Sequence, residues 1–547
     1  MKQAVLLHTI EDAEHYLAND IKLFKGAQLV SANMHVVSFL QLRYECDCVD
    51  LCSYVNSQEI QQIQDTAIRQ NSILLNELDA RLAPEINRYV DLSIRYFEPL
   101  YSFTGARQLV LFVLLELMLR RMLEQEQFDR LVTYEGKLGP LSSSFNEFLT
   151  ELFPDVRVVT IRRGLLERMV KTTIHGVAWE KIPELLVTAG KTSIGPIQYI
   201  RQTGTNGRHI LVFEPFNKIE TLDQQAKAAT IHTFQSQPRE LKAVFDYRLN
   251  PKVLPEWDDL DAHSADAAGQ HRLKLLYQVI RQHFCCHFIQ DFQVLALYRQ
   301  LHAQASLEQV YWQMPPVAES GALLLEYLLH DAKVQVTGIQ TKATALLGKI
   351  AAPYAPATVF SRCHQFITHD RMLESTLKAF QEEHCKLPVF ILKDQLKPKQ
   401  RTTKREPIGI AVYLSPSMSF LETGQIPLHV YTQRELLKFL ETLTDKNIHV
   451  ITHPYATLKN CAVLTKLKEI QHVKWMREFS HEDYLTEHAP KLLLLDTVNF
   501  MVDELSEEMC NLVVFHEGVK LLSEQQDEII YVNSLDEFKK IISRITD

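Results

Sequence analysis

Short apolar runs alternate with longer helical patterns along most of the chain. One helical pattern runs from about Gln58 to Leu82, and Pro84 just beyond it is expected to end that helix. The alternation of strand-like and helical segments predicts an α/β protein with doubly wound parallel sheets. Before residue 391, the candidate strands are Ala4–Leu7, Gln28–Ser31, Cys46–Leu51, Leu131–Tyr134, Val156–Ile161, Ile210–Phe213, Val310–Met314 and Val334–Ile339.

The C-terminal part repeats one pattern five times, in which an apolar run ends in polar, reactive side chains. The runs are Ile408–Tyr413, Ile448–Thr452, Val473–Met476, Leu492–Leu495 and Leu512–Phe515. Open parallel α/β sheets bind ligands outside the carboxyl ends of their strands. Five polar strand ends in series therefore predict a binding site. The polar residues after the five runs include Ser415 and Ser417, then His453, then Glu478, Ser480 and His481, then Asp496, Thr497 and Asn499, and finally His516 and Glu517.

A polar, basic segment without apolar periodicity separates these two parts. It predicts an exposed linker at residues 392–407, between an N-terminal α/β domain at 1–391 and a C-terminal Rossmann-like domain at 408–547. The irregular spacing of the N-terminal strands indicates a helical insertion at about 216–306. Within it, one helix is predicted to bury the face formed by Leu273, Leu276, Ile280 and Phe284.

Composition and charge narrow the class of protein. The 547 residues are 46% hydrophobic and 23% charged, which is ordinary for a globular protein of two or three domains. A net charge of −9 argues against nucleic-acid binding. The nine cysteines show no pairing rhythm and the N-terminus lacks signal-peptide features, so a reducing cytoplasm is the expected location.

The most apolar stretch, Leu109–Leu119, contains Glu116 and runs into Arg120 and Arg121. It is shorter than the roughly 20 residues that a membrane-spanning helix needs. We expect a buried helix, with a helix at the membrane surface as the alternative. The basic linker could likewise contact lipid phosphate or a sugar phosphate, although a solvated charge run explains it equally well.

Three motifs resemble functional sites, but their residues are better explained as loop or packing residues. Gly190-Lys191-Thr192 lacks the first glycine of a phosphate-binding loop. Asp259 and Asp261 have a spacing used for divalent metals but lie in an acidic loop. His283 and His287 share a helix face without a third ligand of matching spacing, and the thiols of Cys46, Cys48 and Cys52 are explained as buried strand residues. No metal site is predicted.

Two glutamates follow N-terminal strands and are candidate general bases. Glu135 comes after the strand that ends at Tyr134, and Glu319 comes after the strand that ends at Met314. Either carboxylate could accept a proton if a cleft raised its pKa. For Glu319 the alternative is an acid that stabilises the first turn of its helix.

His453 is the most distinctive candidate for binding an anion. It ends a strand and precedes the helical pattern Ala456–Ile470, so a phosphate could meet both the imidazole and a helix N-terminus. The alternative is a turn in which Pro454 begins the helix and His453 only caps it. Hydroxyl and carboxylate contacts to ribose or phosphate would come from the other strand ends, at Ser415, Asp496, Thr497 and Glu517.

Two α/β halves with polar strand ends in the second resemble the GT-B-fold glycosyltransferases of bacterial surface-carbohydrate biosynthesis, the capsule and lipopolysaccharide type. His453-Pro454 matches a His-Pro pair that several of these families carry at a C-terminal strand end, where it binds the nucleotide phosphate. Asp496-Thr497 takes a place where those families usually have serines. The resemblance implies two Rossmann-like domains in a GT-B-like arrangement.

The same resemblance implies a glycosyltransferase that moves a sugar from a nucleotide-activated donor to a glycan or lipid-linked acceptor. The nucleotide sugar would be a co-substrate and no cofactor is expected; contact with the inner membrane surface would be peripheral. A sugar-nucleotide epimerase or hydrolase of the same fold is an alternative, because a fold does not determine a reaction. A non-catalytic scaffold of polysaccharide assembly is another.

Overall fold

The structure is a computed structural model. It describes residues 2–90, 95–128, 130–161, 175–178, 207–213, 228–234, 247–261, 267–314, 327–329, 334–340, 363–368, 389–392, 405–417, 419–423, 429–443, 447–453, 456–477, 484–485, 487–496, 511–515, 529–532 and 540.

The N-terminal sheet is parallel and follows the alternation seen in the sequence. Its strands appear in the spatial order β3-β2-β1-β4-β7, whereas β5 and β6 form a separate antiparallel pair. This is the 3-2-1-4-5 order of a Rossmann-type sheet. The order in which successive strands are added reverses between β1 and β4, and we call such a position the reversal point of the sheet. The strands are β1 (Gln3–Leu6), β2 (Gln28–Ser31), β3 (Cys48–Asp50), β4 (Arg130–Tyr134), β5 (Lys137–Leu138), β6 (Ser143–Ser144) and β7 (Arg157–Ile161).

Short helices cover this sheet and begin at polar capping residues. Thr9 forms a capping box with Asp12 at α1 (Ile10–His15), and Asn33 caps α2 (Met34–Tyr44). A side-chain oxygen that accepts a hydrogen bond from a first-turn N–H satisfies a donor that the helix itself leaves free. The helix α5 (Phe145–Leu152) buries Phe148 and Leu149.

Two long helices follow β3 and precede β4 in the sequence. They are α3 (Ser57–Val90) and α4 (Phe97–Glu126). The prediction that Pro84 ends the first helix is wrong, since α3 continues past it to Val90. Burial of Leu78, Leu82 and Ile86 explains this, because packing on both sides of the proline offsets the lost backbone hydrogen bond.

The helix α4 contains the apolar stretch Leu109–Leu119. Among the described helices it is long and apolar enough to cross a membrane by length and composition, but 67% of its most apolar window is buried inside the protein. Leu111, Phe112 and Leu115 are each 0% exposed. The prediction of a buried helix is therefore confirmed.

A second parallel sheet occupies the middle of the chain. Its order is β10-β9-β12-β13-β14-β15, and β8 pairs separately with β11. Counted within the sheet, this is 2-1-3-4-5-6, which begins as the flavodoxin type does. The strands are β8 (His175–Val177), β9 (His209–Phe213), β10 (Thr230–Phe234), β11 (Tyr247–Leu249), β12 (Gln309–Met314), β13 (Gln335–Gln340), β14 (Gln365–Thr368) and β15 (Val389–Leu392).

Among the described residues, the insertion predicted at about 216–306 has its long helix in the second half. Helix α6 (Ala267–Ala305) buries Leu273, Leu276, Ile280 and Phe284 as predicted. The first half contains β10, which pairs with β9, so part of the predicted insertion belongs to the sheet. Polar residues within Thr230–Phe234, including a histidine, obscured this strand in the sequence.

The C-terminal sheet has the full Rossmann-type order. Its strands are arranged β18-β17-β16-β19-β20-β21, all parallel, which is 3-2-1-4-5-6 in its own numbering. The described helices are α7 (Phe420–Thr423), α8 (His429–Thr442) and α9 (Leu464–Leu467). The strands are β16 (Glu406–Leu414), β17 (Ile448–Thr452), β18 (Val473–Met476), β19 (His488–Leu495), β20 (Asn511–Phe515) and β21 (Ile529–Val532).

The chain folds into two compact units that are not consecutive in sequence. Unit 1 consists of Met1–Asp65, Val110–Gly164 and Lys397–Asp547, and unit 2 of Thr66–Leu109 and Leu165–Leu396. Unit 1 thus contains both the N-terminal and the C-terminal sheet. The described residues hold three large parallel sheets, one more than two Rossmann-like domains would supply.

The domain boundaries at 1–391, 392–407 and 408–547 stay a prediction. Residues 393–404 lie outside the described residues, and β16 begins at Glu406, inside the predicted linker.

Candidate functional site

In the C-terminal sheet the strand order reverses between β16 and β19. Polar groups meet at the carboxyl ends of these two strands. The backbone N–H of Ser415, just after β16, donates to Asp496 Oδ2 at 2.7 Å, just after β19. Gln433 of α8 donates from Nε2 to the same carboxylate oxygen and to the Ser415 carbonyl, both at 2.6 Å. This reversal is the place where doubly wound sheets bind ligands. Two of the predicted binding residues, Ser415 and Asp496, are therefore brought together there.

Asp496 is a buried acid with a perturbed pKa. Its side chain is only 1% exposed, and burial raises its pKa from 3.8 to about 7, against the opposing hydrogen bonds from Gln433 and Ser415. Its Oδ1 is also buried and makes no hydrogen bond to any described residue. A buried carboxyl oxygen without a partner costs free energy unless something else satisfies it. Such a group at a sheet's reversal point is a candidate ligand contact.

The N-terminal sheet carries a polar pair at the equivalent position. His8 follows β1, and its Nε2 lies 2.6 Å from Thr133 Oγ1 of β4. The backbone N–H groups of His8 and Thr9 donate to Asp12 Oδ2 at 3.1 and 2.9 Å. The imidazole is buried, and its ring centroid lies 4.1 Å from that of Phe145. This arrangement fixes an imidazole at the second reversal point of unit 1.

The carboxyl-end regions of these two sheets contact each other within unit 1. His35, in the first turn of α2 after β2, has Nε2 2.9 Å from Ser417 Oγ and 3.2 Å from the Ser417 carbonyl oxygen, after β16. In a second contact, the backbone N–H of Gly139 donates to the Leu421 carbonyl at 2.6 Å. These contacts join the carboxyl-end regions of the two sheets within unit 1.

His35 is held neutral in this contact. It is fully buried, and burial lowers its pKa from 6.5 to about 4, more than the hydrogen bond to Ser417 raises it. Because a carbonyl oxygen can only accept, Nε2 carries the proton; Nδ1 makes no hydrogen bond to any described residue.

Further contacts near α2 and β3 support this region. The Tyr431 hydroxyl donates to Asp50, and the Arg434 guanidinium donates to Gln41. Lys459 pairs with Glu11. Burial raises the pKa of Asp50. The Tyr431 hydroxyl therefore donates a hydrogen bond to a carboxyl group that is poorly hydrated.

His453 lies at the carboxyl end of β17, as predicted, and is half-buried. The helix predicted at Ala456–Ile470 is wrong. The described residues after Ala456 form hydrogen-bonded turns, followed by the four-residue helix α9. Asn460 explains the turn, because its side chain accepts from the Thr457 N–H at 2.7 Å and competes with helical bonding. A phosphate at His453 would therefore not meet a helix N-terminus formed by Ala456–Ile470.

The remaining predicted site residues fall in different places. Glu135 follows β4 at the N-terminal reversal point but is exposed, without the burial that the general-base argument invoked. Its backbone N–H donates to the Ile161 carbonyl at 3.0 Å. Glu319, Thr497 and Glu517 lie outside the described residues.

In the motifs that resemble metal sites, histidine and aspartate side chains contact other side chains of the protein. His283 Nδ1 lies 3.0 Å from the Tyr101 hydroxyl, and its ring stacks on His287 at 4.2 Å. Asp261 lies 3.5 Å from Arg81. Cys46, Cys48 and Cys52 are free thiols. In the part of the chain that the structure describes, no group of three or more His, Cys, Asp or Glu residues could hold a metal ion.

Three residues of this region were missed in the sequence. His8 and His35 follow predicted strands, so the rule that was applied to the C-terminal strand ends would have found them in the N-terminal sheet. Gln433 has no such signal, because it reaches Asp496 from the interior of α8 through tertiary packing.

Comparison with known proteins gives weak similarities. No protein-family model matches the chain, and no curated protein matches it in sequence. The UDP-GlcNAc 2-epimerase of Methanocaldococcus jannaschii, in complex with UDP-GlcNAc and UDP, is 11% identical over 62% of this chain and 92% of its own, with a TM-score of 0.36.

A second structure of that epimerase is 12% identical over the same shares, with a TM-score of 0.33. TarM is 12% identical over 44% of this chain and 48% of its own, with a TM-score of 0.29. Scores this low do not establish a shared fold, so the assignment of the sheets rests on their strand order.

Proposed function

We propose that unit 1 binds a nucleotide-activated sugar between the carboxyl ends of its two Rossmann-type sheets and transfers the sugar to an acceptor. One observation carries the proposal. Each sheet has a buried polar pair at its reversal point, Ser415 with Asp496 and His8 with Thr133, and His35 joins the two carboxyl-end regions. Sites at reversal points bind nucleotides in many doubly wound sheets. The resulting GT-B-like arrangement within unit 1 is part of the proposal.

The donor is assigned to the C-terminal sheet. Asp496 Oδ1, which is buried and makes no hydrogen bond to a described residue, is proposed to pair with a ligand hydroxyl such as those of ribose. A carboxyl with a pKa of about 7 can act as acceptor or donor near neutral pH. His453 is proposed to contact the phosphate. Ser415, Thr497 and Glu517 are the further proposed contacts, and the nucleotide sugar serves as co-substrate.

The acceptor is assigned to the N-terminal sheet. A base there takes the proton of the acceptor hydroxyl, while the oxygen of that hydroxyl forms a bond to the anomeric carbon of the donor sugar. The bond from that carbon to the donor phosphate breaks, and the nucleotide leaves with the electron pair. The described imidazole at this reversal point is His8, and Glu135, the candidate base that follows β4, belongs to the same sheet. Glu319 follows β12 of the middle sheet in sequence and is not part of this assignment.

The cellular setting is proposed from the resemblance to GT-B glycosyltransferases. It comprises surface-polysaccharide biosynthesis of the capsule or lipopolysaccharide type, a cytoplasmic protein peripheral to the inner membrane, and a glycan or lipid-linked acceptor. Donor charge would be met by His453 and backbone N–H groups rather than by a divalent cation.

A thermal-shift panel of UDP-, GDP-, CMP- and TDP-sugars tests the proposal, because a ligand of the native state raises the unfolding temperature. We expect one nucleotide class to raise it, equally with and without EDTA, and the matching sugar to be transferred. Rearranged or hydrolysed donor without transfer would favour the epimerase or hydrolase. Stabilisation without turnover would favour the scaffold, and no stabilisation by any donor would refute nucleotide-sugar binding.

A further inference from the structure

One turn of the N-terminal sheet region exposes apolar side chains beside lysines. Residues 21–27 connect a π-helical turn (Tyr16–Asp20) to β2. Leu23 is 73% exposed and Ile21 45% exposed, which makes Leu23 the most exposed large apolar side chain of the described residues. Lys22 and Lys25 are exposed beside them. We call residues Ile21–Lys25 the apolar-basic turn.

The apolar-basic turn has an ordered backbone. The N–H groups of Leu23 and Phe24 both donate to the Asp20 carbonyl, at 2.9 and 3.1 Å, and the Ala27 N–H donates to the Phe24 carbonyl at 3.0 Å. Phe24 packs on the core of the sheet, with the Arg130 guanidinium 5.8 Å from its ring centroid. Phe24 therefore anchors the turn, whereas folding does not require the exposed side chains of Ile21 and Leu23.

The lysines of the apolar-basic turn carry uncompensated charge. Neither Lys22 nor Lys25 forms an ion pair with a described residue. The parallel register also places Arg130 and Arg157 at the amino-end edge of the sheet that β2 enters from this turn. Asp47 and Asp155 lie at the same edge, and Glu126 neutralises Lys2 there.

Charge and apolarity together indicate the kind of partner. The chain as a whole carries a net charge of −9, so a locally cationic turn runs against its average. Two exposed apolar side chains between lysines match the interface of an anionic bilayer, where the apolar groups enter the headgroup region and the ammonium groups contact lipid phosphate.

We propose that the apolar-basic turn docks unit 1 on an anionic lipid surface, with Leu23 and Ile21 inserted and Lys22 and Lys25 on the phosphates. The turn lies at the amino ends of the strands, opposite the carboxyl ends that hold the candidate site. Lipid docking would therefore leave the reversal point of that sheet uncovered. This proposal does not depend on nucleotide-sugar binding.

Flotation of the purified full-length protein with phosphatidylcholine vesicles, with and without phosphatidylglycerol, tests the proposal. We expect binding only to the anionic vesicles and loss of binding at high salt. Ile21→Gln with Leu23→Gln should weaken the partition coefficient about tenfold or more. Lys22→Gln with Lys25→Gln should weaken it by about fivefold for each lysine.

Matched controls come from exposed positions elsewhere in the chain. Ile73→Gln removes an apolar side chain that is 53% exposed on α3, and Lys252→Gln with Lys274→Gln removes two exposed lysines. Both controls should float like the wild type, and all variants should keep its unfolding temperature.

Equal vesicle binding by the turn variants and the wild type would overturn the proposal, as would no binding to anionic vesicles. Self-association that the turn variants abolish, without vesicle binding, would instead identify the turn as a protein interface and would also overturn it.

Discussion

Asp496 combines full burial with a pKa of about 7, and this makes its protonation part of the stability of the fold. Its folded pKa lies above its ordinary value of 3.8, so its contribution is complete at low pH and is lost as the pH rises toward about 7. A shift of this size corresponds to on the order of 4 kcal/mol. Asp496→Asn cannot ionise and escapes this loss.

The unfolding temperature of Asp496→Asn relative to the wild type should therefore rise between about pH 4 and about pH 7 and level off above that. Thermal scans across this range measure it, with Asp258→Asn, an exposed acid, as the control. Parallel pH curves for Asp496→Asn and the wild type would show that Asp496 does not titrate in this range.

His35 should show the opposite pH dependence. Burial lowers its pKa from 6.5 to about 4, so the stability it provides is present above about pH 6.5 and is lost as the pH falls toward 4. Acidification should lower the unfolding temperature of the wild type more steeply than that of His35→Gln, which keeps a polar group but does not titrate. The exposed His271→Gln should follow the wild type. Equal slopes for His35→Gln and the wild type would contradict the buried neutral imidazole.

At the level of elements, the close approach of α3 and α4 depends on a missing side chain. A Cβ on Gly105 would lie 2.6 Å from Asn71 Oδ1. Asn71 cannot move cheaply, because it is 1% exposed and donates from Nδ2 to the carbonyls of Tyr101 and Ser102, both at 3.1 Å. Gly105→Ala should destabilise the protein by about 1–3 kcal/mol, despite the better helix propensity of alanine.

Chemical denaturation of Gly105→Ala, Asn71→Ala and the double variant measures this. Because Asn71→Ala makes room for the new methyl group, the double variant should be more stable than the sum of the two single effects predicts. Strict additivity would show that the two side chains do not conflict.

The elements that could be predicted from sequence were those with a local signal. β2, β17 and β18 begin and end where the sequence predicted, because each is a short run around apolar residues that polar segments bound on both sides. β10 and the continuation of α3 past Pro84 depend on tertiary packing instead. The same division holds for the site, since Ser415 and Asp496 follow visible strand ends whereas Gln433 reaches them from a distant helix.

At the level of the whole molecule, unit 1 joins segments from both ends of the chain. Local sequence patterns predict strands but not which sheets associate, so the combination of residues 1–65 with 397–547 could not be read from periodicity. This association brings the regions of the two reversal points into contact through His35 and Ser417. The middle sheet, which belongs to unit 2, lies outside the proposed mechanism.

The central claim is that a nucleotide sugar binds at the carboxyl end of the C-terminal sheet. Calorimetric titration of the wild type and His453→Ala with the nucleotide sugar selected by the thermal-shift panel tests it most directly. His472→Ala is the control, since His472 lies just before β18, at the amino ends of the strands of the same sheet. Its Nε2 hydrogen-bonds the Leu440 carbonyl at 2.8 Å. Loss of one charge-assisted phosphate contact should weaken binding by about 1.5–3 kcal/mol, or about ten- to a hundredfold, in a folded His453→Ala protein. Unchanged affinity in His453→Ala, or equal weakening in both variants, would contradict the claim.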